Sequence, residues 1–153
     1  MLSALDSEEA INAVPRERLD ERAPEEEDEK RDTLLCRAAR LGKVRSVDSL
    51  LRRGAGIEAT NGRGATPFLL ACQEGHIEVV RFLHSKGANV KTPTKNGTTP
   101  VWIACQQGQI EVVRFLQSKG ANLETPDNDG ATPVWIACQN GYIEVVRFLH
   151  SKG

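Results

Sequence analysis

Along residues 64–153 the apolar positions alternate between two short helical patterns punctuated by turn residues. From Ile77 to Ser85, Ile77, Val80 and Leu83 share one face of a 3.6-residue period while Glu78 and Arg81 fall on another, which predicts an amphipathic helix stopped by Gly87. Upstream, Pro67 to about Glu74 is mostly apolar. Thr66 is an N-cap directly before a proline whose fixed φ and missing N–H suit the first helical position, and Gly75 can take the left-handed geometry of a helix stop. The stretch from Ala88 to Asn96 contains Pro93 and leads into Gly97, turn chemistry that predicts a projecting hairpin-like loop rather than a third helix.

The pattern recurs. Gly64, Gly97 and Gly130 stand 33 residues apart, as do Thr66, Thr99 and Thr132; Pro67, Pro100 and Pro133; Cys72, Cys105 and Cys138; and Gly75, Gly108 and Gly141. Full units span 64–96 and 97–129, and a truncated unit spans 130–153. A further 33 residues upstream, Thr33, Ala38, Gly42, Val47, Leu50 and Gly54 keep the register although Leu34 replaces the proline, so 32–63 is a diverged capping unit. Helices of about eight residues are marginal alone, and one pair cannot bury its own apolar face, so stacking must supply the core.

The pattern G-x-T-P-x-x-x-A-C-x-x-G-x-I-E-V-V-R-F-L-x-S-K-G-A-N resembles the ankyrin repeat, in its Thr-Pro helix start as in its period. The resemblance covers residues 32–153 and implies an all-α ankyrin-repeat solenoid: stacked helix-turn-helix units whose concave side, lined by loop tips and first helices, binds other proteins. Where the family usually places a histidine two residues after the proline, this chain has Leu69, Trp102 and Trp135. Apolar packing is therefore expected in place of the polar bridge that such a histidine makes between repeats.

Composition divides the chain. Of its 153 residues, the first 31 hold eleven acidic and five basic residues, a net −6, whereas 32–153 hold ten and fifteen, a net +5. Sparse apolar residues and the run Glu25 to Glu29 predict an acidic, mostly disordered leader, with short helical stretches around Glu8 to Val14 and Arg16 to Glu21 divided by Pro15. The leader is read as a solubilising segment, or alternatively as a weak competitor folding back on the basic body. The start of the chain has no basic and apolar secretory pattern, and no stretch approaches the ~20 apolar residues of a membrane span.

No catalytic, cofactor or metal residue is assigned. Cys72, Cys105 and Cys138 follow small residues at equivalent positions, too far apart across stacked helices for disulfides, and are expected to be buried packing thiols. Cys36 sits three residues earlier in its unit, and CxxC spacing is absent, which implies a reducing compartment and a cytoplasmic location. His76, His84 and His150 are expected at the surface or rim. Glu78, Glu111 and Glu144 are each placed to pair with the arginine three residues on, Arg81, Arg114 and Arg147. The basic surplus gathers in the first unit, in Arg37, Arg40, Lys43, Arg45, Arg52 and Arg53, a patch suited to an acidic peptide or to the leader; the modest net charge speaks against nucleic acid as a partner.

The positions left free to vary are the candidate contacts. In the loop tips they are Gly62, Arg63, Lys95, Asn96, Asn128 and Asp129; on the first helices they are Gln73, Glu74, Gln106, Gln107, Gln139 and Asn140. Loop-tip character drifts from basic to acidic along the stack. Trp102 and Trp135 have two readings, core packing, favoured because Leu69 fills the equivalent place, or an exposed hot spot on the concave side. Ending at Gly153, the last unit has no cover for Val134, Ile136, Val146 and Leu149, which is expected of a fragment of a longer array, of end-to-end self-association, or of fraying. The function expected is a non-enzymatic protein-protein interaction module. The alternative is a regulatory or substrate-targeting fragment of a larger multidomain enzyme of the kinase or ubiquitin-ligase type.

Overall fold

The computed structural model describes residues 8–21 and 32–153. Among these, nine α-helices and one 3-10 turn form, with no strand. After α1 (Glu8–Asn12) and the 3-10 turn Arg16–Arg18 come four pairs: α2 (Leu34–Arg40) with α3 (Val44–Arg52), α4 (Pro67–Glu74) with α5 (Ile77–Ser85), α6 (Pro100–Gln106) with α7 (Ile110–Ser118), and α8 (Pro133–Gln139) with α9 (Ile143–Lys152). First helices stack as α2, α4, α6 and α8, second helices as α3, α5, α7 and α9, giving two layers with the core between and within them.

The local signals act as their chemistry requires. The hydroxyls of Thr33, Thr66, Thr99 and Thr132 accept from the backbone N–H of Cys36, Leu69, Trp102 and Trp135 at 3.1, 3.1, 3.2 and 3.3 Å, each cap contributing about 1 kcal/mol. The second helices lack side-chain caps; in the tight turn before them the first helical N–H bonds back instead, Ile77 to the Gly75 carbonyl and Ile110 to that of Gly108, both at 2.9 Å. Phe68, Val79, Val80 and Leu83 are fully buried, so the amphipathic stripe finds its partner in the neighbouring units.

Within the acidic leader, the short helical stretches expected around Glu8 to Val14 and Arg16 to Glu21 lie against the first unit. α1 packs on α3, and Ile11 and Leu19, each 1% exposed, join the core. The Arg53 guanidinium donates to the carbonyls of Ile11 and Val14, and Asp20 Oδ1 accepts from the Gly56 N–H at 2.9 Å. Two apolar anchors and three hydrogen bonds to a preformed surface order a segment too short and polar to order itself. The run Glu25 to Glu29, and with it the fold-back contact, lies outside the described residues.

The last pair departs from expectation. Ile136 and Leu149 are buried and Val146 is half-buried; the exposed apolar groups are Val134, Trp135, Tyr142 and Ile143, together with Cys138. Inward-facing residues of α8 and α9 cover one another within the pair, whereas the far faces have no described helix against them.

Candidate functional site

Three loops close as hairpin-like tips. Asn61 N–H bonds to the Ala65 carbonyl at 3.0 Å, Thr94 to Thr98 at 2.9 Å, and Asp127 to Ala131 at 3.0 Å. The side chains of Asn61 and Asp127 brace their own tips: Asn61 Oδ1 accepts from Arg63 and Ala65 at 3.1 and 3.0 Å, and Asp127 Oδ1 from Asp129 and Ala131 at 3.1 and 2.9 Å. Neighbouring tips then bond to each other, Lys95 N–H to the Arg63 carbonyl at 3.1 Å and Asn128 N–H to the Asn96 carbonyl at 3.0 Å. Asn128 Nδ2 adds a bond to the Lys95 carbonyl at 3.0 Å, and Lys95 Nζ donates to the Gly62 carbonyl at 2.7 Å. The backbone of the row is thereby fixed while Arg63, Lys95, Asn96, Asn128 and Asp129 stay exposed.

Beneath the first tips runs a groove of about 530 Å³ that brings together Arg63, Gln73, Lys95 and Asn96 over a floor including Leu69, Leu70 and Ile103. A second hollow, of about 510 Å³, places Asp129, Trp102 and Trp135 together. Neither hollow is lined by Glu74, Gln106, Gln107, Gln139 or Asn140. Gln73 is half-buried, donating to Glu74 Oε1 at 3.1 Å, and Gln106 is half-buried with its carbonyl taken by Asn140 Nδ2 at 2.9 Å; Glu74, Gln107, Gln139 and Asn140 are exposed.

Trp102 does not serve as an exposed anchor. It is 7% exposed, and its indole N–H donates to the Ala131 carbonyl of the next unit at 2.8 Å. The polar bridge between repeats, expected to be lost to apolar packing, is thus rebuilt here with a tryptophan as donor. Trp135 is 53% exposed and is the ring that remains available.

Two groups of residues that bind the repeats together escaped the sequence reading. His76 is half-buried, its Nε2 2.8 Å from the Arg40 carbonyl, and Gln109 Nε2 reaches the Gln73 carbonyl at 3.4 Å, so these positions and Tyr142 lie over Gly42, Gly75 and Gly108 of the preceding units. The 33-residue alignment of a polar or aromatic residue after each helix-stop glycine was the available signal. Asp32 is the other: buried at 7% exposure, it accepts from Asn61 Nδ2 at 2.9 Å and pairs with the Arg40 guanidinium at 2.9 Å, joining the first unit to the next tip.

On the second helices, Glu78, Glu111 and Glu144 do not pair with the arginine three residues on in the same helix, Arg81, Arg114 and Arg147 respectively. Arg81 stacks over the Phe115 ring at 5.2 Å and Arg114 over Phe148 at 4.9 Å, both across a repeat junction, and Arg114 pairs with Glu144 of the next unit at 3.8 Å. A planar guanidinium gains more from a neighbouring ring than from a solvated carboxylate one turn away.

Burial pushes the Cys36 thiol up to about 11 and the Cys105 thiol to about 12, and it raises Cys72 well above the ordinary thiol range. These three are packing groups, Cys36 also donating weakly to the Ala59 carbonyl at 3.4 Å. Cys138 is exposed, a correction to the expectation that it is buried like its equivalents. Among the described residues no group of histidine, cysteine or carboxylate side chains is arranged to hold a metal ion, and no helix is long and apolar enough to cross a membrane.

A stack of paired helices with cross-braced loop tips and a polar row of exposed tip residues defines a helical repeat protein that presents a surface. A family model for ankyrin repeats matches three overlapping spans, residues 14–94, 35–127 and 86–153. The chain belongs to the ankyrin-repeat family, whose domains are generally protein-protein interaction modules. No curated protein sequence matches it.

Proposed function

We propose that the chain is a non-enzymatic interaction module that binds a protein partner through its loop tips and first helices, with Arg63, Lys95, Asn96, Asn128, Asp129 and Trp135 as the leading contacts. The observation that carries this reading is the pair of bonds between tips, Lys95 to Arg63 and Asn128 to Asn96, which hold the backbone of the row rigid while its side chains face solvent. A preorganised surface loses little conformational entropy on association, so polar contacts there retain more of their gross energy. The free, buried thiols suit a reducing compartment, and a cytoplasmic location belongs to this reading.

Affinity capture from a reducing lysate tests it, comparing the full chain with a variant carrying alanine at Lys95, Asn96, Gln106, Gln107, Asn128 and Asp129. Retention by the parent and loss by a variant of unchanged circular dichroism is the expected result. Equal retention by both would place the interface elsewhere.

A further inference from the structure

We propose that the concave row takes an extended peptide of fixed polarity, with carboxylates over Arg63 and Lys95 and a lysine or arginine against Asp129 and Trp135. This rests on the interaction-surface reading and specifies the chemistry of the partner.

The charges along the row are sorted. In the groove at the first tips the lining residues include Arg40, Arg63 and Lys95 and no carboxylate. Arg40 is answered by Asp32, but among the described residues Arg63 and Lys95 have no carboxylate against them; Lys95 Nζ meets the neutral Gly62 carbonyl. Arg63 and Lys95 are brought side by side by the bond between their backbones, so their two charges act on one segment of ligand. Two repeats along, Asp127 spends one carboxylate oxygen on its own turn, whereas Asp129 is exposed and, among the described residues, has no cation paired to it. Beside it stands Trp135, half exposed, in the same hollow. A carboxylate next to an aromatic face favours a cation, by Coulomb attraction and by the ring quadrupole together. The Asn96 carbonyl and Asn128 Nδ2 are taken by the bonds between tips, while the exposed, uncharged Asn96 side chain is left to bond to an extended backbone.

The stacking distance sets the spacing. Packed helices stand about 8–10 Å apart, so two repeats separate Arg63 from Asp129 by about 16–20 Å, the length of about five to six extended residues. A ligand lying the other way round would set like charges against each other at both ends, so the row fixes which end of a charge-separated peptide meets which tip.

The experiment is selection of a displayed library of random dodecapeptides on the immobilised full-length chain. Enriched peptides are then synthesised and their anisotropy is measured against the parent, the pair variant Arg63→Glu with Lys95→Glu, its alanine counterpart, and a swap variant that adds Asp129→Lys to the pair. Enriched sequences are expected to carry Asp or Glu at one end and Lys or Arg about five to six residues away. Binding should weaken at least about tenfold in the pair variant, less in the alanine version, and fall with added salt. The swap variant should recover binding of the parent's peptides relative to the pair variant, with the peptides turned end for end. Peptides without charge separation, still lost on alanine substitution at Asn96, Gln106 and Asn128, would overturn the polarity while leaving the interaction surface intact. No enrichment, or binding indifferent to every one of these substitutions, would overturn both.

Discussion

The indole N–H of Trp102 donates to the carbonyl of Ala131 at 2.8 Å, a bond that crosses from one repeat to the next at a part-buried junction. That carbonyl also accepts the Asp127 N–H at 3.0 Å, so replacing the indole costs one hydrogen bond, about 0.5–1.5 kcal/mol, beyond the loss of ring volume.

Trp102→Phe is accordingly expected to destabilise the chain by about 1–3 kcal/mol, and Trp135→Phe by no more than about 0.5 kcal/mol, in urea unfolding. The two single-tryptophan proteins separate the environments optically. Iodide should quench the emission of Trp135 and spare that of Trp102.

Leu19→Ala should lower stability by about 2–4 kcal/mol, since Leu19 is 1% exposed in the core. A leader that merely trailed from the solenoid would leave the denaturation midpoint unmoved. Asp20→Ala, which removes the acceptor for the Gly56 N–H, should cost about 1 kcal/mol in the same measurement.

Gly108 and Gly141 provide a matched pair, with φ of 70° and 75°. A Cβ on Gly108 would lie 2.5 Å from Tyr142 Cδ1, whereas one on Gly141 meets nothing within 4 Å. Gly141→Ala should cost only the left-handed backbone penalty of about 1–2 kcal/mol. Gly108→Ala should cost about 1–3 kcal/mol more, and thermal melts of the two variants would show the difference.

A thiol reagent applied to the native chain should label one cysteine, Cys138, and all four only after unfolding, because Cys36, Cys72 and Cys105 are buried. Mass spectrometry of the labelled protein identifies the site.

The raised thiols also set a pH dependence. Their folded pKa values, about 11 for Cys36 and about 12 for Cys105, exceed the ordinary 9.0, so above pH 9 the unfolded chain releases protons that the folded one keeps. The stability they contribute is fully present below that point and is lost as pH rises toward the folded values. Between pH 9 and 11 the midpoint of urea unfolding should fall. The Cys36→Ala and Cys105→Ala variants should each show a shallower slope.

The helices and caps were legible because their signals are local and repeat. Thr66, Thr99 and Thr132 before proline predict helix starts that the structure places at Pro67, Pro100 and Pro133. The loop tips at Arg63, Lys95 and Asn128 were legible as turns, while the bonds from tip to tip were not, since they join residues a whole repeat apart. Arg81 illustrates the same difficulty: sequence spacing offered Glu78 as its partner, and the fold offered the Phe115 ring.

The residues Pro100–Gln106 and Pro133–Gln139 have the same sequence, PVWIACQ, and form the same helix behind the same threonine cap. That much the amino-acid sequence determined by itself, through propensity, capping and period. Yet Trp102 is 7% exposed and Trp135 53%, and Cys105 is buried where Cys138 is open. Only the tertiary structure decided this, because burial belongs to the neighbour that packs on a segment: α8 lies against α6 and its Ala131 carbonyl receives the Trp102 indole, while no described helix lies against the far side of α8.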